Sequence, residues 1–335
     1  MNDRANSHGV WILAEQAEGD VQRIGFELLT RGRHLADKCG AALTAVVLGD
    51  GTDEAGLQEL IERGADRVIA MDAPELRHFL VEPYAACLSR LIAEYKPEIV
   101  IAGATSLGRT LMPYVAVRAH AGLTADCTEL DIEEGTGNLL QTRPAIGGNI
   151  LATIKTPERR PQMATVRPRS TRPAPRMEGR TGEILRLPAP PELLKTRIRR
   201  RGFIRDESEH GVQDADIVVS AGRGVKKGEN VALVRELAET LAGALGASRD
   251  VVDRGWLSYP HQVGLSGKTV SPKLYVAVGI SGAIQHLAGM QTADTIVAVN
   301  NDPDAQIFRV ADYGIVGDLF EIVPALIEKI REAFR

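Results

Sequence analysis

The segments VWILA (Val10–Ala14), VQRIGFELLTRGRHLADKC (Val21–Cys39) and LTAVVL (Leu43–Leu48) follow one another near the start of the chain. The first and third are short and apolar, whereas the apolar residues of the second recur at helical spacing. This pattern predicts a strand, a crossover helix and a second strand. Because such crossovers are right-handed and join parallel strands, the three segments predict a parallel α/β sheet.

The same alternation continues through the first half of the chain. Further strands are predicted at Arg67–Met71 and Glu98–Gly103, and helices at Asp53–Arg63, Arg77–Tyr95 and Leu107–His120. After the last helix the pattern changes to strands separated by glycine turns, at Gly122–Ile132, Asn138–Ile146 and Asn149–Lys155. We therefore expect the last part of this domain to consist of strands joined by turns, and not of alternating strands and helices.

A proline-rich segment then interrupts the pattern. Six of the 17 prolines lie within Arg167–Pro191, and proline neither donates to a β-ladder nor continues a helix. We therefore predict an extended crossing at about 167–191, between an N-terminal α/β domain over residues 1–190 and a second domain over residues 191–335. Five arginines follow within Arg197–Arg205, but Phe203 is the only aromatic residue there, which favours a solvated or partner-facing strand over nucleic-acid binding.

Alternation of strands and helices resumes in the C-terminal half. Strands are predicted at Asp216–Ser220, Ser248–Val252, Leu274–Gly279, Asp294–Val299 and Tyr313–Val316, and helices at Glu229–Leu245 and Leu319–Phe334. This spacing favours a doubly wound, Rossmann-like sheet. The predicted fold class is α/β, with two domains that each contain a mainly parallel sheet and flanking helices. The connection Asp253–Lys273 lacks helical periodicity, and a loop of that length usually carries function.

Composition excludes several classes of protein. The chain has 335 residues and a formal net charge of −4, which gives no electrostatic reason for binding nucleic acid or a membrane surface. Cys39, Cys87 and Cys127 are too few and too far apart for a disulfide framework or a four-ligand zinc site. The N-terminus lacks the apolar core of a signal peptide, and no apolar run is long enough to span a membrane. We expect a cytoplasmic protein without a metal or membrane insertion.

The clearest chemical signal is a local absence of acids. The forty residues 254–293 contain no Asp or Glu, where the average composition of the chain predicts about five. Two glycine turns lie in this stretch, QVGLSGK (Gln262–Lys268) and GISGAIQH (Gly279–His286), and the second follows a predicted strand and opens a helix. Backbone N–H groups at such a turn bind phosphate or pyrophosphate. On glycine spacing alone, two ordinary tight turns are the alternative.

Two other functions stay open on the residues alone. GRGVKKG (Gly222–Gly228) approaches a dinucleotide fingerprint with its last glycine one residue late, and Arg249 would suit a 2′-phosphate, as in an NADP-dependent oxidoreductase. A nucleotide sensor resembling the universal-stress domains would bind ATP or AMP in the first half, but no phosphate-binding glycine cluster follows a strand there. Hydrolase, zinc-peptidase and P-loop motifs are absent, so no catalytic residue is predicted.

The run HQVGLSGKTVSPKLYVAVGISGAIQH (His261–His286), with SAGRG and ASR before it and VAVNND after it, resembles the α subunit of the electron-transferring flavoproteins. The first half is also similar, through AEQ after the first strand, TADCTEL (Thr124–Leu130) and QTRPAIGGN (Gln141–Asn149). The resemblance therefore covers nearly the whole chain. It implies one FAD held mainly by the C-terminal domain, an N-terminal domain similar to nucleotide α-hydrolases, and a β subunit that packs against both and carries a second FAD or AMP.

The resemblance also implies site residues. It places Ser248, Arg249 and the residues from Val263 to Ser266 around the flavin ring, with the Ser266 hydroxyl at flavin N5, and His286 near the flavin C2 carbonyl. It places Arg223 in a phosphate-side turn and the residues from Ser281 to His286 around the pyrophosphate and the flavin. The adenosine end is assigned to Asn300, Asp318 and Leu319. The full set is Arg223, Ser248, Arg249, Gln262, Val263, Gly264, Leu265, Ser266, Gly267, Gly279, Ser281, Gly282, Ala283, Ile284, Gln285, His286, Asn300, Asp318 and Leu319.

Physical chemistry gives the acid-free stretch a function in such a site. One-electron reduction puts negative charge on the flavin N1–C2=O region, so donors and cations there (Arg249, His286 and a helix N-terminus) would stabilise the reduced form, and carboxylates would oppose it. The chain departs from many family members at Leu265-Ser266, where they carry Gln-Thr. Serine keeps the hydroxyl, whereas leucine at position 265 removes any side-chain hydrogen bond.

The resemblance implies an electron carrier that turns over no substrate alone. It would pass single electrons between an acyl-CoA dehydrogenase-type partner, as in fatty acid β-oxidation, and a second redox protein. WILAEQAEGDVQRIGFELL (Trp11–Leu29) and TRPAIGGN (Thr142–Asn149) look more like the anaerobe and nitrogen-fixation members, which bifurcate electrons. In those, a second FAD in the β subunit oxidises NADH and sends one electron to ferredoxin or flavodoxin, and the turn Arg143–Asn149 would approach that flavin.

Overall fold

The computed structural model describes residues 8–144, 151–202, 212–213 and 215–333. The chain divides into two compact units, residues 1–202 and residues 203–335. Each unit contains a parallel sheet with flanking helices, which confirms the predicted α/β class. No helix among the described residues is long and apolar enough to cross a membrane.

The first unit contains twelve described strands and four α-helices. The strands are β1 (Val10–Ala14), β2 (Gln16–Ala17), β3 (Asp20–Val21), β4 (Leu43–Gly49), β5 (Arg67–Asp72), β6 (Ile99–Gly103), β7 (Leu123–Cys127), β8 (Glu129–Ile132), β9 (Leu139–Pro144), β10 (Leu151–Ile154), β11 (Gln162–Val166) and β12 (Glu183–Pro188). The helices are α1 (Arg23–Cys39), α2 (Glu54–Glu62), α3 (Val81–Tyr95) and α4 (Ser106–Arg118).

Seven of these strands form one sheet in the order β12-β5-β4-β1-β6-β11-β7, and every neighbouring pair is parallel. Buried aliphatic clusters cover both of its faces. The chain runs outward from β1 to β5 on one side and continues from β6 on the other, so the strand order reverses between β1 and β6. In open α/β sheets such a reversal is where ligands commonly bind.

The later strands of this unit differ from the prediction. Gly122–Ile132 contains two strands, because the N–H of Thr128 turns to donate to the carbonyl of Thr142 at 2.9 Å and β8 then pairs with β9. β8, β9 and β10 form a separate antiparallel sheet. Residues 145–149, in the turn that the resemblance associates with a second flavin, lie outside the described part of the chain.

The proline-rich segment is not simply a crossing between domains. Its residues Glu183–Pro188 form β12, which pairs with β5 at the edge of the large sheet, so the segment 167–191 lies inside the first unit. Prolines are tolerated here because they flank an edge strand or end it, where no ladder donor is lost. The unit boundary follows Gly202. Residues 197–202 contain no strand, and Phe203–Arg205 lie outside the described residues.

The described part of the second unit contains five strands and four α-helices. The strands are β13 (Ile217–Ala221), β14 (Ala244–Ala247), β15 (Leu274–Val278), β16 (Thr295–Asn300) and β17 (Tyr313–Val316). The helices are α5 (Val231–Thr240), α6 (Arg249–Asp253), α7 (Ile284–Leu287) and α8 (Leu319–Ala333). The sheet order is β14-β13-β15-β16-β17, and all neighbours are parallel.

The second strand of this unit was predicted in the wrong place. Ser248–Val252 was expected to be extended, but β14 ends at Ala247 and α6 begins at Arg249. The predicted helix Glu229–Leu245 ends earlier, at Thr240, because the N–H of Gly243 returns to the carbonyl of Ala238 and frees the following residues for the sheet. A glycine fits there because a Cβ at position 243 would lie 2.8 Å from the carbonyl oxygen of Ile217.

Candidate functional site

The predicted cofactor residues gather at one edge of the second unit. β13, β14, β15 and β16 are parallel, so their carboxyl ends lie on the same edge of the sheet. Numbered within this unit, the strand order is 2-1-3-4-5, and the chain leaves in opposite directions from β13 and β15. Ligands of sheets with this order bind at that reversal, outside the strand ends. The edge between β13 and β15 is therefore the candidate site.

Two glycine turns close against each other at this point. The N–H of Gly222 donates to the carbonyl of Val278 at 2.8 Å, and the N–H of Gly224 donates to the carbonyl of Gly279 at 3.0 Å. A Cβ on Gly222 would overlap the carbonyl oxygen of Gly279, whose own φ of +63° also favours glycine. The glycine spacing that resembled a dinucleotide fingerprint thus serves close contact between two turns.

The segment after Gly279 offers unused backbone donors. Ser281, Ala283 and Ile284 are exposed. Within the described part of the chain, the backbone N–H groups from Ser281 to Ile284 donate no hydrogen bond. The predicted helix here is only the four residues of α7, so these N–H groups form a turn at the strand end. Successive unpaired N–H groups suit the oxygens of a phosphate or pyrophosphate.

The loop Gln262–Lys268 is held across the same edge. The N–H of Val263 donates to the carbonyl of Ala247 at 2.8 Å, and the N–H of Leu265 donates to the carbonyl of Gln285 at 2.6 Å. The amide of Gln262 donates to the hydroxyl oxygen of Ser266 at 3.0 Å. These contacts bring Gly264, Gly267 and the exposed Ser266 next to the turn at α7.

Two exposed guanidinium groups lie beside β13 and β14. Arg249 is the first residue of α6, and its Nε lies 3.1 Å from Asp253. A guanidinium nitrogen of Arg223 lies 3.5 Å from Asp250. Such exposed pairs contribute at most about 1 kcal/mol each, so both cations can exchange a carboxylate for a bound anion at little cost. Ser248, the residue before Arg249, is held at the end of β13, because its N–H donates to the carbonyl of Ala221 at 2.9 Å.

His286 is buried rather than open to the edge. Its Nε2 lies 2.9 Å from the hydroxyl of Tyr275, the second residue of β15. Burial lowers the pKa of His286 to about 4, with a weaker opposing effect from the backbone of Val263. Its Nδ1 is also buried and makes no hydrogen bond of ordinary geometry with the described residues. The imidazole is therefore neutral at physiological pH, unlike the cation that the sequence allowed.

The three residues assigned to the adenosine end lie at the ends of β16 and β17. The amide of Asn300 donates to the carbonyl of Ile280 at 2.8 Å and accepts from the N–H of Asp302 at 3.0 Å. The carboxylate of Asp318 accepts from the N–H of Phe320 at 2.9 Å at the start of α8, and Leu319 is buried. In this structure the side chains of Asn300 and Asp318 therefore hydrogen-bond to backbone groups near these strand ends.

Sequence reasoning missed three participants. Tyr275 looked like an ordinary strand residue, since nothing in the pattern of β15 distinguishes it from its apolar neighbours. Asp250 and Asp253 adjoin the acid-free stretch, and their pairing with Arg223 and Arg249 moderates its positive charge. The i, i+4 spacing of Arg249 and Asp253 was the available signal, but the expected strand concealed it.

The residues fit an FAD at this edge. Unpaired N–H groups at the end of β15 suit its pyrophosphate, and the exposed arginines suit negative charge on its phosphates or ring. The glycine turns leave no side chain between the strand ends.

Known families and proteins match the chain throughout. Residues 10–192 match the electron transfer flavoprotein domain, and residues 211–291 match the electron transfer flavoprotein FAD-binding domain. The electron transfer flavoprotein subunit alpha of Thermoanaerobacterium thermosaccharolyticum is 49% identical over 99% of both chains. The acryloyl-CoA reductase electron transfer subunit beta of Anaerotignum propionicum is 44% identical over 96% of this chain and 95% of its own. Subunit LctC of the lactate dehydrogenase (NAD(+),ferredoxin) of Acetobacterium woodii is 40% identical over 98% of this chain and 78% of its own.

Proposed function

The chain belongs to the α-subunit family of the electron transfer flavoproteins, and from this premise we propose that it carries single electrons through one FAD bound at the β13/β15 edge. The observation that supports this most is the convergence there of unpaired N–H groups from Ser281 to Ile284 with exposed Arg223 and Arg249, inside the segment that matches the FAD-binding domain.

Each part of the edge has a role in holding the cofactor. We assign the pyrophosphate to the turn from Ser281 to Gln285 and to Arg223, because backbone donors and a guanidinium both complement phosphate oxygens. We assign the ring to the loop Gln262–Gly267 and to Arg249. We assign the adenosine part of the cofactor to the region after β16 and β17, where Asn300, Asp318 and Leu319 lie.

When bound, FAD supplies the one-electron chemistry, and this chain supplies position and charge. Arg249 favours negative charge on the ring, because a guanidinium near a developing anion lowers its energy. The side-chain amide of Gln262 donates to the Ser266 hydroxyl oxygen at 3.0 Å. This hydrogen bond leaves the hydroxyl proton of Ser266 to donate to a nitrogen of the flavin ring. No described residue at this edge forms an acid–base pair suited to substrate turnover, which fits a carrier that acts together with other proteins.

We propose that the chain works as a heterodimer with a β subunit and exchanges electrons with an acyl-CoA dehydrogenase-type flavoenzyme. The relative from Anaerotignum propionicum supports this, because it is named as the electron transfer subunit of an acryloyl-CoA reductase. We further propose electron bifurcation from NADH to ferredoxin or flavodoxin. This proposal of bifurcation is supported by the 40% identical LctC subunit, because the name of its enzyme contains both NAD(+) and ferredoxin.

Absorbance spectroscopy of the chain co-purified with its β subunit tests these proposals. One FAD per heterodimer, unaffected by NADH, would support a simple carrier. Two FAD per heterodimer with bleaching by NADH would support bifurcation. A colourless complex that takes up no added FAD would overturn the proposed function. The flavin count comes from absorbance after denaturation, which releases the cofactor from either subunit.

A further inference from the structure

A buried pair connects the centre of the C-terminal sheet to the candidate flavin site. Tyr275 lies in β15, the middle strand of five, and is fully buried. Its hydroxyl lies 2.9 Å from Nε2 of His286, and the two rings are 6.1 Å apart at a tilt of 58°. Two buried polar groups that contact each other in an apolar core are held firmly, because separation would lose that hydrogen bond where no water replaces it.

The surroundings of the imidazole decide which nitrogen carries its proton. The backbone of Val263 favours the protonated ring, which is the effect of a nearby carbonyl acceptor. Nε2 faces the Tyr275 hydroxyl, so the buried Nδ1 is the nitrogen left to face that backbone, where an N–H is favourable and a bare lone pair is not. With the proton on Nδ1, Nε2 is the acceptor, so the Tyr275 hydroxyl donates to it. Within the described residues, no charged side chain contributes to the pKa of His286.

We propose that Tyr275 is a positioning residue for the flavin site, because its hydroxyl donates to Nε2 of His286 and keeps this imidazole neutral with its proton on Nδ1. This inference rests on the proposed function for its link to FAD. His286 then acts on the site as a fixed neutral dipole, and the positive charge at the edge comes from Arg223 and Arg249.

The loop that bears Ser266 contacts the helix that bears His286. His286 lies in α7 next to Gln285, whose carbonyl accepts from the N–H of Leu265 at 2.6 Å. A Cβ on Gly264 would lie 3.0 Å from that same carbonyl oxygen and 3.5 Å from the Cα of His286, so the loop and α7 are in close backbone contact. The loop that carries the Ser266 hydroxyl is therefore packed against the backbone of the residue that bears the imidazole.

The test is the tautomer of His286, measured by two-dimensional ¹H–¹⁵N NMR on the full chain with ¹⁵N-labelled histidine, free of FAD. A His286→Gln variant identifies the resonances. In the wild-type chain we expect one neutral tautomer with protonated Nδ1 and no titration between about pH 5.5 and 8.5. In Tyr275→Phe the excess of the Nδ1–H tautomer should fall at least about fivefold, the equivalent of one net hydrogen bond.

The matched control is Tyr313→Phe, which changes an exposed tyrosine of β17 and should leave the tautomer ratio unchanged. An imidazole that titrates near pH 6.5 in the wild-type chain, or a proton on Nε2, would overturn the proposal even if Tyr275→Phe fails to fold. An unchanged tautomer ratio in folded Tyr275→Phe would also overturn it. Because the FAD-free chain is measured, failure of FAD uptake would count against the proposed function alone.

The same variants have a second readout in the FAD-loaded heterodimer. If Tyr275 positions the site, the midpoint potential of the flavin bound by this chain should shift in Tyr275→Phe and stay unchanged in Tyr313→Phe. A purely structural role would lower the melting temperature of Tyr275→Phe without moving that potential, and this outcome would contradict the link from Tyr275 to the flavin.

Discussion

The edge between β1 and β6 in the first unit and the edge between β13 and β15 in the second occupy corresponding positions in two parallel sheets. In the first, the Thr105 hydroxyl donates to Glu15 at 2.7 Å, and the amide of Gln16 lies 3.1 Å from the hydroxyl of Tyr84. In the second, the N–H groups from Ser281 to Ile284 are unpaired within the described residues. The first unit fills the reversal point with its own polar side chains, whereas the second leaves donors available for a ligand.

Substitution of one tightly packed glycine in each unit should give the largest difference in FAD binding between the two edges. Gly222→Ala would force a Cβ into the carbonyl of Gly279, and Gly108→Ala would force one into the carbonyl of Gly103. We expect each to destabilise its unit by roughly 3 kcal/mol or more, because the obstructing atoms are backbone. FAD content should fall sharply in Gly222→Ala and persist in folded Gly108→Ala, as measured by absorbance and denaturant unfolding.

The control for both glycine variants is Gly202→Ala, where a Cβ meets no atom within 4 Å. It should match the wild-type chain in stability and FAD content. Full FAD retention in Gly222→Ala would contradict the assignment of the flavin to the β13/β15 edge.

The filled edge of the first unit should make stability depend on pH. Burial raises the pKa of Glu15 from 4.5 to about 7, against the hydrogen bond from Thr105. Between these values the folded chain binds a proton that the unfolded chain has released, so stability falls as pH rises from about 4.5 to 7. Glu15→Gln removes this loss and should gain roughly 2 kcal/mol relative to wild type between pH 5 and pH 8, measured by urea unfolding.

Glu75→Gln is the matched control for Glu15→Gln, since Glu75 is an exposed residue of the same unit. Its pH profile should follow that of the wild-type chain. If Glu15→Gln also follows the wild-type profile, Glu15 is already ionised in the folded chain, which would contradict the prediction.

At the open edge the expected effects of charge are smaller. Arg249→Ala should keep FAD but lower the midpoint potential of the bound flavin by roughly 40 mV, the one-electron equivalent of about 1 kcal/mol. Asp253 already offsets part of the charge of Arg249, which limits the effect. Arg235→Ala, on exposed α5 surface, is the control and should leave the potential unchanged. Spectroelectrochemical titration of the heterodimer measures both, and equal potentials would exclude a role for Arg249 at the ring.

Long alternating segments were predictable from the sequence because the periodicity of their apolar residues reflects burial. β1 and β17 have the predicted bounds, and α1 begins within two residues of its predicted start. Strands that depend on distant partners were missed. β11 lies between β6 and β7, and β12 follows a run of prolines, so their pairing is set by the sheet and not by local pattern.

The candidate site was predictable as a region but not in its hydrogen bonding. The acid-free stretch 254–293 and its glycine turns indicated an anion at the carboxyl edge. The burial of His286 against Tyr275 depends on the side-chain packing between β15 and α7, which sequence spacing does not encode. The pairing of Arg249 with Asp253 required a helix where the sequence indicated a strand.

Hydrogen–deuterium exchange of the full chain, compared with and without FAD, tests the central claim most directly. We expect slower exchange with FAD in peptides covering residues 222–224, 262–268 and 279–286, and unchanged exchange in peptides covering Glu15 and Thr105. Protection at the β1/β6 edge with none at the β13/β15 edge would contradict it.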